Sequence, residues 1–393
     1  MSGLIQQSFK INLKVMQFCH LYPPEKQQLF FKLRAHVMHV VFVMAVPTLG
    51  TVYLLTEKNL NMERVNYNAG FLAQTACFIT KLLPFITNGQ RIKRLIDYFD
   101  HNSVSVINEE QRDIVNKCVE VCRRNTFIFL VCVTGGVGSW AAKPLFWNGR
   151  NLPVDVWLPF DWRTNNLVYG VVYFFVTIGV LFSSFATGVI DPLIAGLAYH
   201  ATSQIKILKD NLEHLSDYAD NIMFAQNLRK LSPKILKHKL IFNSIKQCVE
   251  HHNTILSFVK EYEDCFSSVI FSQFAASVFV ICFSCLQLSK VDTFGFTFLQ
   301  LIMYFSVILA QIYFYCYYGS TLFEESNTIT NAVYMGQWYD YEIKSKLSLI
   351  ILMERSKRPL TVTVGKLLDL SLVTFATILR RSYSLLAVLK NYQ

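Results

Sequence analysis

Long charge-free runs divide the chain into segments of membrane length. Six stretches hold no Asp, Glu, Lys or Arg: residues 35–56, 65–80, 125–142, 164–190, 265–289 and 293–323. Five of them reach the roughly 18 residues with which an α-helix crosses about 30 Å of hydrocarbon. The run 65–80 is shorter, but it continues past Lys81 to Thr87, and a lysine near a helix end can extend its ammonium group to the bilayer surface. The pattern predicts six transmembrane helices.

A seventh helix is predicted at the end of the chain, from about Thr361 to Leu389. It follows a basic segment that Pro359 interrupts. Six positions recur at spacings of three and four residues and therefore share one helix face: Thr374, Thr377, Arg381, Ser384, Val388 and Asn391. Apart from Val388 this stripe is polar, so it must face protein or water rather than lipid.

Two interpretations of the polar stripe remain open at this point. The stripe can be a seam between helices of one subunit. Alternatively, several copies of the helix around an axis form an aqueous pore that narrows at the apolar ring of Val388, where a constriction can close by dewetting. Arg380 and Arg381 lie about 100° apart on the helix, so only one of them can face such a pore.

Composition agrees with a membrane protein. The 393 residues are 52% hydrophobic and only 16% charged, which is too apolar for an ordinary soluble protein. The predicted fold is therefore all-α, a polytopic membrane protein with seven transmembrane helices. The first thirty residues carry lysines and no compact apolar core, so we expect the first span itself to direct insertion.

The distribution of basic residues predicts the orientation. Of the 37 Lys and Arg residues, 26 lie in the N-terminal segment and in residues 89–125, 199–262 and 322–360, against seven in the alternate connections. The N-terminus is therefore predicted to be cytoplasmic and the C-terminus extracellular. The net charge of +10 then belongs to the cytoplasmic face and its anionic lipids, with no need for a nucleic-acid partner.

Four regions follow from these boundaries. Residues 1–32 form a cytoplasmic N-terminal segment, and residues 33–320 form spans one to six with cytoplasmic helices at 89–125 and 199–262. Residues 321–360 form the cytoplasmic first half of a split seventh helix, and residues 361–393 form its second half. Apolar positions at helical spacing in the cytoplasmic part need a surface to cover them, and we expect a neighbouring subunit to provide it: Ile205, Leu208, Leu212 and Leu215.

The sequence indicates no catalytic, metal or cofactor site. The ten cysteines are scattered, and none lies in a predicted outer segment, so no disulfide framework is expected. Cys118 and Cys122 lie one helical turn apart and are interpreted as helix packing. His251 and His252 lack partners at metal-ligand spacing. Asp191 is predicted to lie near the cytoplasmic end of the fourth span.

The C-terminal part resembles the insect odorant receptors. The matching segments are Met353–Leu360, Gly365–Lys366, Leu370–Phe375, Ile378–Leu379, Ser382–Ser384, Tyr315–Gly319 with Glu324–Glu325 after it, and Trp338–Tyr339. They cover about the last eighty residues, and the remainder matches in its seven spans and long cytoplasmic stretch. The gustatory relatives carry Gln-Phe where this chain has Leu389–Lys390. The family's co-receptor has a longer second cytoplasmic loop than residues 89–125, so the resemblance is to an odorant-tuning subunit.

The resemblance implies a function. Family members are odorant-gated, non-selective cation channels and tetramers, whose seventh helix lines the pore. On this chain the implied pore and gate residues are Thr377, Arg381, Ser384, Val388, Asn391 and Tyr392. The implied partners are a small volatile odorant, a co-receptor subunit in a heterotetramer, the lipid bilayer and permeating cations. The implied location is the plasma membrane of olfactory sensory neurons, and the chain is not expected to be an enzyme or to hold a cofactor.

The ligand site is expected in the outer half of the bundle, between spans two, three, four and six. Its candidate residues are Phe71, Gln74, Gly136, Trp140, Tyr173, Thr177 and Tyr304, although core packing explains any one of them equally well. A gustatory-type channel subunit and a metabotropic seven-helix receptor remain alternatives. The usual metabotropic receptor has the opposite orientation and signature motifs that this sequence lacks.

Overall fold

The computed structural model describes residues 4–22, 29–57, 62–101, 108–146, 152–163, 165–225, 233–289, 291 and 295–391. Nearly all of these residues are helical. The helices before residue 230 are α1 (Leu4–Ser8), α2 (Lys10–Phe18), α3 (Leu29–His39), a π-helical turn (Val40–Met44), α4 (Ala45–Thr56), α5 (Met62–Thr87), α6 (Gly89–Ile96), α7 (Tyr98–His101), α8 (Glu109–Phe146), α9 (Asn166–Glu213) and α10 (Leu215–Ala225).

The second half of the chain continues in the same way. Its elements are α11 (Pro233–Leu288), α12 (Phe296–Asn327), α13 (Ile329–Met335), a 3-10 turn (Trp338–Asp340), α14 (Ile343–Ser356), β1 (Thr363–Val364), β2 (Leu368–Asp369) and α15 (Leu372–Asn391). Pro233 begins α11, because proline suits the first turn of a helix, where no backbone N–H is needed.

Six helical segments of the described chain are long and apolar enough to cross a membrane: Leu33–Thr56, Asn68–Thr87, Glu109–Ala142, Asn166–Glu213, Lys234–Leu288 and Phe296–Met335. They coincide with the six predicted charge-free runs and confirm that part of the prediction. The terminal helix α15 is not one of the six, so the seventh span remains a prediction.

Two helices extend far beyond one bilayer thickness. Helix α9 has 48 residues and α11 has 56, which correspond to about 72 and about 84 Å at 1.5 Å per residue. Their extensions pack with α2, α10, α13 and α14 into a second bundle. The core is continuous through both parts, because buried residues of α9 from Phe182 to Leu212 and of α11 from Ile241 to Ile281 belong to one cluster.

The amphipathic face at residues 205–215 corrects one expectation. Ile205, Leu208, Leu212 and Leu215 are all buried within this chain's own core. The sequence prediction gave this face to a neighbouring subunit, which is wrong for these four side chains. Periodicity shows that a face is covered but does not identify the element that covers it.

The terminal helix begins later than predicted. Residues 363–369 form a two-stranded antiparallel hairpin in which Thr363 pairs with Asp369 and Val364 with Leu368. Gly365 and Lys366 form its turn with φ of +61° and +57°. The helix then starts at Leu372, where the Ser371 hydroxyl accepts the Thr374 backbone N–H at 3.2 Å. The run of alternating threonine and valine favours a strand over a helix.

Candidate functional site

A partly open cavity of about 800 Å³ lies among α4, α5, α8, α9, α11 and α12. Residues 152–155 line one end of it. The large wall side chains are apolar or aromatic: Phe42, Phe71, Phe78, Trp140, Phe283 and Tyr304. A mostly apolar cavity of this size suits a small neutral organic molecule.

One part of the wall is a preformed aromatic stack. The rings of Phe71 and Trp140 lie nearly parallel, with centroids 6.5 Å apart and planes at 9°. Gly136 lies one turn before Trp140, and a Cβ added there would meet nothing within 4 Å. The glycine therefore leaves open space beside the indole, as the sequence suggested.

The structure brings five of the seven predicted ligand residues to this cavity. They are Phe71, Gln74, Gly136, Trp140 and Tyr304. Tyr173 and Thr177 are not among the lining residues: the Tyr173 hydroxyl bonds the backbone oxygen of Ala141, and Thr177 is buried.

The depth of the cavity explains this difference. Helix α9 does face it, but through Val180, Ser184 and Thr187, which continue the face of Tyr173 and Thr177 further along the helix. Sequence reasoning also missed Phe78 and Gln311, which lie seven residues after Phe71 and Tyr304 on the same helix faces. Helical spacing in the sequence could therefore have identified Phe78 and Gln311. The sequence carries no comparable signal for how far along the helices the cavity lies.

A buried ion pair lies against the floor of the cavity. Asp191 of α9 accepts both bonds of the Lys81 ammonium group, at 2.7 and 3.0 Å, and both side chains are only 1% exposed. The same carboxylate accepts bonds from Gln311 at 2.9 Å and Tyr315 at 2.6 Å. Gln311 is also a cavity-lining residue. The four bonds replace the hydration that burial removes from the carboxylate.

This pair corrects one prediction. Lys81 does not extend its ammonium group to a bilayer surface, because the side chain is enclosed by α5, α9 and α12 and bonds Asp191. The network continues into α11, where the Gln273 amide donates to Gln311 at 3.3 Å and its oxygen accepts from the Cys77 thiol at 3.0 Å.

Helix α12 connects the cavity to the terminal helix. It contributes Tyr304 and Gln311 to the cavity, and further along it meets the start of α15. The Ser320 hydroxyl accepts the Leu372 backbone N–H at 2.9 Å, and the Tyr313 ring contacts Phe375 edge-on at 5.8 Å. At Gly319 an added Cβ would lie 2.3 Å from the Leu370 backbone oxygen, so the two segments touch without a side chain between them.

The polar stripe of α15 divides between two environments. Thr377, Arg381, Ser384 and Val388 are exposed, whereas Thr374 is buried beside Ile378 and Ser382. The four exposed residues are not covered by the described part of their own chain, which disfavours a seam within one subunit. Leu386 is partly buried. The Asn391 side chain and the whole of Tyr392 lie outside the described residues.

A second uncovered surface lies on α14. Ile343, Leu347, Ile350 and Ile351 are exposed at helical spacing on one face. The opposite face, with Leu349 and Leu352, is buried in the chain's own core. We call the four exposed residues the α14 face. It is an apolar surface that the described part of the chain leaves uncovered.

The Cys118 and Cys122 pair has a partner that sequence spacing could not show. His200 of α9 reaches it, so that the three ligand-type atoms lie within 4.8 Å of one another and all three residues are buried. The His200 ring also contacts the Ser8 hydroxyl at 3.1 Å. The cluster joins α1, α8 and α9 well away from the cavity end of α8, which agrees with a packing role.

Comparison with known proteins gives a consistent result. The model of the 7tm odorant receptor family matches residues 61–383. The chain is similar to odorant receptor Or1 of Anopheles gambiae, at 25% identity over 99% of this chain and 96% of the relative. It is also similar to odorant receptor 94a of Drosophila melanogaster, at 24% identity over 98% and 97%.

A solved structure has the same fold. The olfactory receptor OR5 of Machilis hrabei, solved in complex with eugenol, superposes with a TM-score of 0.82 over 99% of both chains at 14% sequence identity. At that identity the likeness shows the fold alone. The similarity extends through both helical bundles, because nearly the whole of each chain is covered.

Proposed function

This chain belongs to the odorant receptor family, and from that premise we propose that it is the odorant-binding subunit of a heteromeric, ligand-gated, non-selective cation channel. It is a multi-pass membrane protein whose relatives are odorant receptors rather than enzymes. We place it in the plasma membrane of olfactory sensory neurons.

The single observation that carries the proposal is the mostly apolar cavity among the membrane-length helices. Its aromatic and aliphatic wall suits a small volatile molecule, which gains free energy by leaving water for an apolar site. The structural neighbour OR5 was solved with eugenol, a small organic molecule. By analogy, the volatile that activates this chain binds in the cavity beside Trp140 and Tyr304.

The proposed topology has seven spans, a cytoplasmic N-terminus and an extracellular C-terminus, with α15 as the last span. The distribution of basic residues supports it. In this orientation residues 152–163 and the cavity lie in the outer half of the membrane, where volatiles arrive. The second bundle of long helices lies in the cytoplasm, as an anchor.

We propose that helix α12 transmits the conformational change of channel opening from the cavity to α15. A volatile that binds the open arrangement of the cavity more tightly than the closed one shifts the population towards the open state. Helix α12 contacts both the ligand space and the start of α15, so a change in its position reaches α15 without an intermediate element. The exposed side of α15 then lines a pore that closes at Val388.

The assembly proposed is a heterotetramer with a co-receptor subunit. The α14 face supports an intersubunit contact in the cytoplasm, because four apolar side chains at helical spacing otherwise remain in water. The exposed side of α15 supports a central axis, since arginine and hydroxyl groups avoid lipid.

The test is electrophysiological. Cells that express this chain with an odorant co-receptor should show whole-cell cation current when a broad panel of volatiles is applied. The pipette contains a GDP analogue that holds G proteins inactive. Cells that express the co-receptor alone are the control. Absence of current with both chains at the surface, or current that the nucleotide abolishes, would contradict the proposal and favour a metabotropic receptor.

A further inference from the structure

We infer that the ligand of this cavity is a neutral odorant with an apolar body and one hydroxyl group, an alcohol or phenol, which hydrogen-bonds to the amide groups of Gln74 and Gln300. The inference rests on the proposed function and specifies the chemical class of the odorant.

Two lining side chains carry buried polar atoms without a partner. The amide oxygen of Gln74 on α5 and the amide nitrogen of Gln300 on α12 are both inaccessible to solvent, and neither has a hydrogen-bond partner in the structure. Both residues line the cavity. A buried polar group left unpaired costs about 1–3 kcal/mol, so each amide gains from a ligand that supplies the missing partner.

Several other polar groups of the wall are already paired. The hydroxyls of Thr75, Ser183, Thr187 and Ser284 each donate to a carbonyl of their own helix. Gln311 donates to Asp191 and accepts from Gln273. Among the described lining residues, Gln74 and Gln300 are the two with a side-chain polar atom that is both buried and unpaired. They are therefore the positions at which a ligand's polar group is recognised.

The charge of the wall favours a neutral ligand. Among the described lining residues Asp155 is the only charged one, and its carboxylate accepts a bond of 3.4 Å from Asn68. With no cationic residue in that lining, a carboxylate ligand would lie in an apolar site without a counter-charge, which is strongly unfavourable. An amine beside Asp155 is the charged alternative, and the experiment below includes it.

A hydroxyl group matches the amides better than a carbonyl group does. A hydroxyl donates to the Gln74 oxygen and accepts from the Gln300 nitrogen, whereas a ketone, aldehyde or ester only accepts. The match survives exchange of oxygen and nitrogen in both amides or in Gln74 alone, because a hydroxyl donates one hydrogen bond and accepts up to two. The aromatic wall at Phe71, Trp140 and Tyr304 then holds the apolar body.

The experiment uses n-octanol, octanal, octylamine and nonane on cells that express the full chain with a co-receptor. All four have equal numbers of non-hydrogen atoms and differ at one end of the chain. We expect octanol to activate at about tenfold lower concentration than octanal, and nonane and octylamine to be weaker still. Gln74→Met and Gln300→Met keep the side-chain volume and remove the amide. Gln90→Met is the control, because Gln90 is exposed on α6 and does not line the cavity.

The outcomes separate cleanly. The inference predicts that Gln74→Met, Gln300→Met or both reduce the advantage of octanol over nonane about tenfold, while Gln90→Met leaves it unchanged. A preference for nonane or octylamine, or unchanged ranking in both Met variants at normal surface expression, would overturn it. Gln74→Leu and Gln300→Leu serve if a Met variant fails to reach the surface. Absence of current with every volatile of a broad panel would instead count against the channel function itself.

Discussion

At the scale of single residues, Trp140 and Tyr304 carry the prediction for ligand affinity. Trp140 stacks on Phe71 across the cavity wall, and Tyr304 lines it from α12. Truncating an aromatic anchor usually costs 2 kcal/mol or more, so Trp140→Ala and Tyr304→Ala should each raise the odorant concentration for half-maximal current about thirtyfold. Dose–response curves measure this.

The matched control for these variants is Phe174→Ala. Phe174 lies on α9, is exposed, and does not line the cavity. Its removal should leave the odorant response unchanged. Dose–response curves that remain at wild-type values for both Trp140→Ala and Tyr304→Ala would exclude this cavity as the odorant site.

Lys81 and Asp191 carry a prediction about folding. Removing one partner of a buried ion pair leaves an unpaired charge and costs about 3–5 kcal/mol, whereas removing both costs less. Lys81→Met and Asp191→Asn alone should therefore lower the melting temperature of the detergent-solubilised receptor more than the double variant does. If the loss in the double variant equals the sum of the two single losses, the pair contributes no coupling energy.

Residue-level prediction from sequence succeeded where one helix face was enough. Gly136 and Trp140 are one turn apart on α8, and Phe71 and Gln74 are one turn apart on α5, so helical spacing alone places each pair on one face. It failed for Lys81, because its partner Asp191 lies 110 positions away along the chain. Nothing local to Lys81 distinguishes an ammonium group that reaches the membrane surface from one that reaches a carboxylate.

At the scale of elements, the contact between α12 and the segment before α15 is the proposed route of opening. Gly319→Ala would bring a methyl group to 2.3 Å from the Leu370 backbone oxygen, which cannot move as a side chain can. We expect this variant to lose most odorant-evoked current while odorant binding is retained. Gly138→Ala is the control, because an added Cβ there meets nothing within 4 Å. Normal currents from Gly319→Ala would show that this close contact does not transmit opening.

The α14 face carries the prediction for assembly. Ile350→Asp and Ile351→Asp place charge on the exposed apolar face and should abolish co-purification with the co-receptor while the single chain still folds. Leu349→Asp and Leu212→Asp place charge in the chain's own core and should instead abolish folding. Normal recovery of the complex from both isoleucine variants would exclude this face as the intersubunit contact.

Element prediction from sequence followed the physics of the bilayer. Charge-free runs located six of the helices, because the hydrocarbon interior excludes charge along the whole span. The hairpin at residues 363–369 was missed, since its Thr and Val residues were counted towards apolar length instead of strand preference. The sequence nevertheless carries a turn signal at Gly365 and Lys366, because glycine is typical of turns.

At the scale of the whole molecule, one continuous core joins a ligand cavity, a buried ion pair and an anchor of long helices. The α14 face, in the proposed cytoplasmic part, and the exposed side of α15 are two uncovered surfaces of the described chain. They lie on different helices. The proposed tetramer around one axis would cover both surfaces, so assembly and pore formation are parts of one hypothesis.

The exposure of α15 decides which residue serves as the control for the pore. Leu386 lies off the polar stripe but is partly buried against its own chain. Tyr383 is the better control, because it is 72% exposed and lies about 100° from Ser384 on the helix. Val388, on the stripe, is 51% exposed. The two positions test opposite sides of the uncovered surface.

The most direct test of the account is cysteine accessibility on α15 during odorant-evoked current. In cells that co-express the co-receptor, Ser384→Cys and Val388→Cys should allow an externally applied charged thiol reagent to block the current, because both side chains then face water in the open pore. Tyr383→Cys and the wild-type chain should be insensitive to the reagent. Block through Tyr383→Cys with no effect at Ser384→Cys and Val388→Cys would mean that the helix presents another face to the axis, and that the assignment of the pore is wrong.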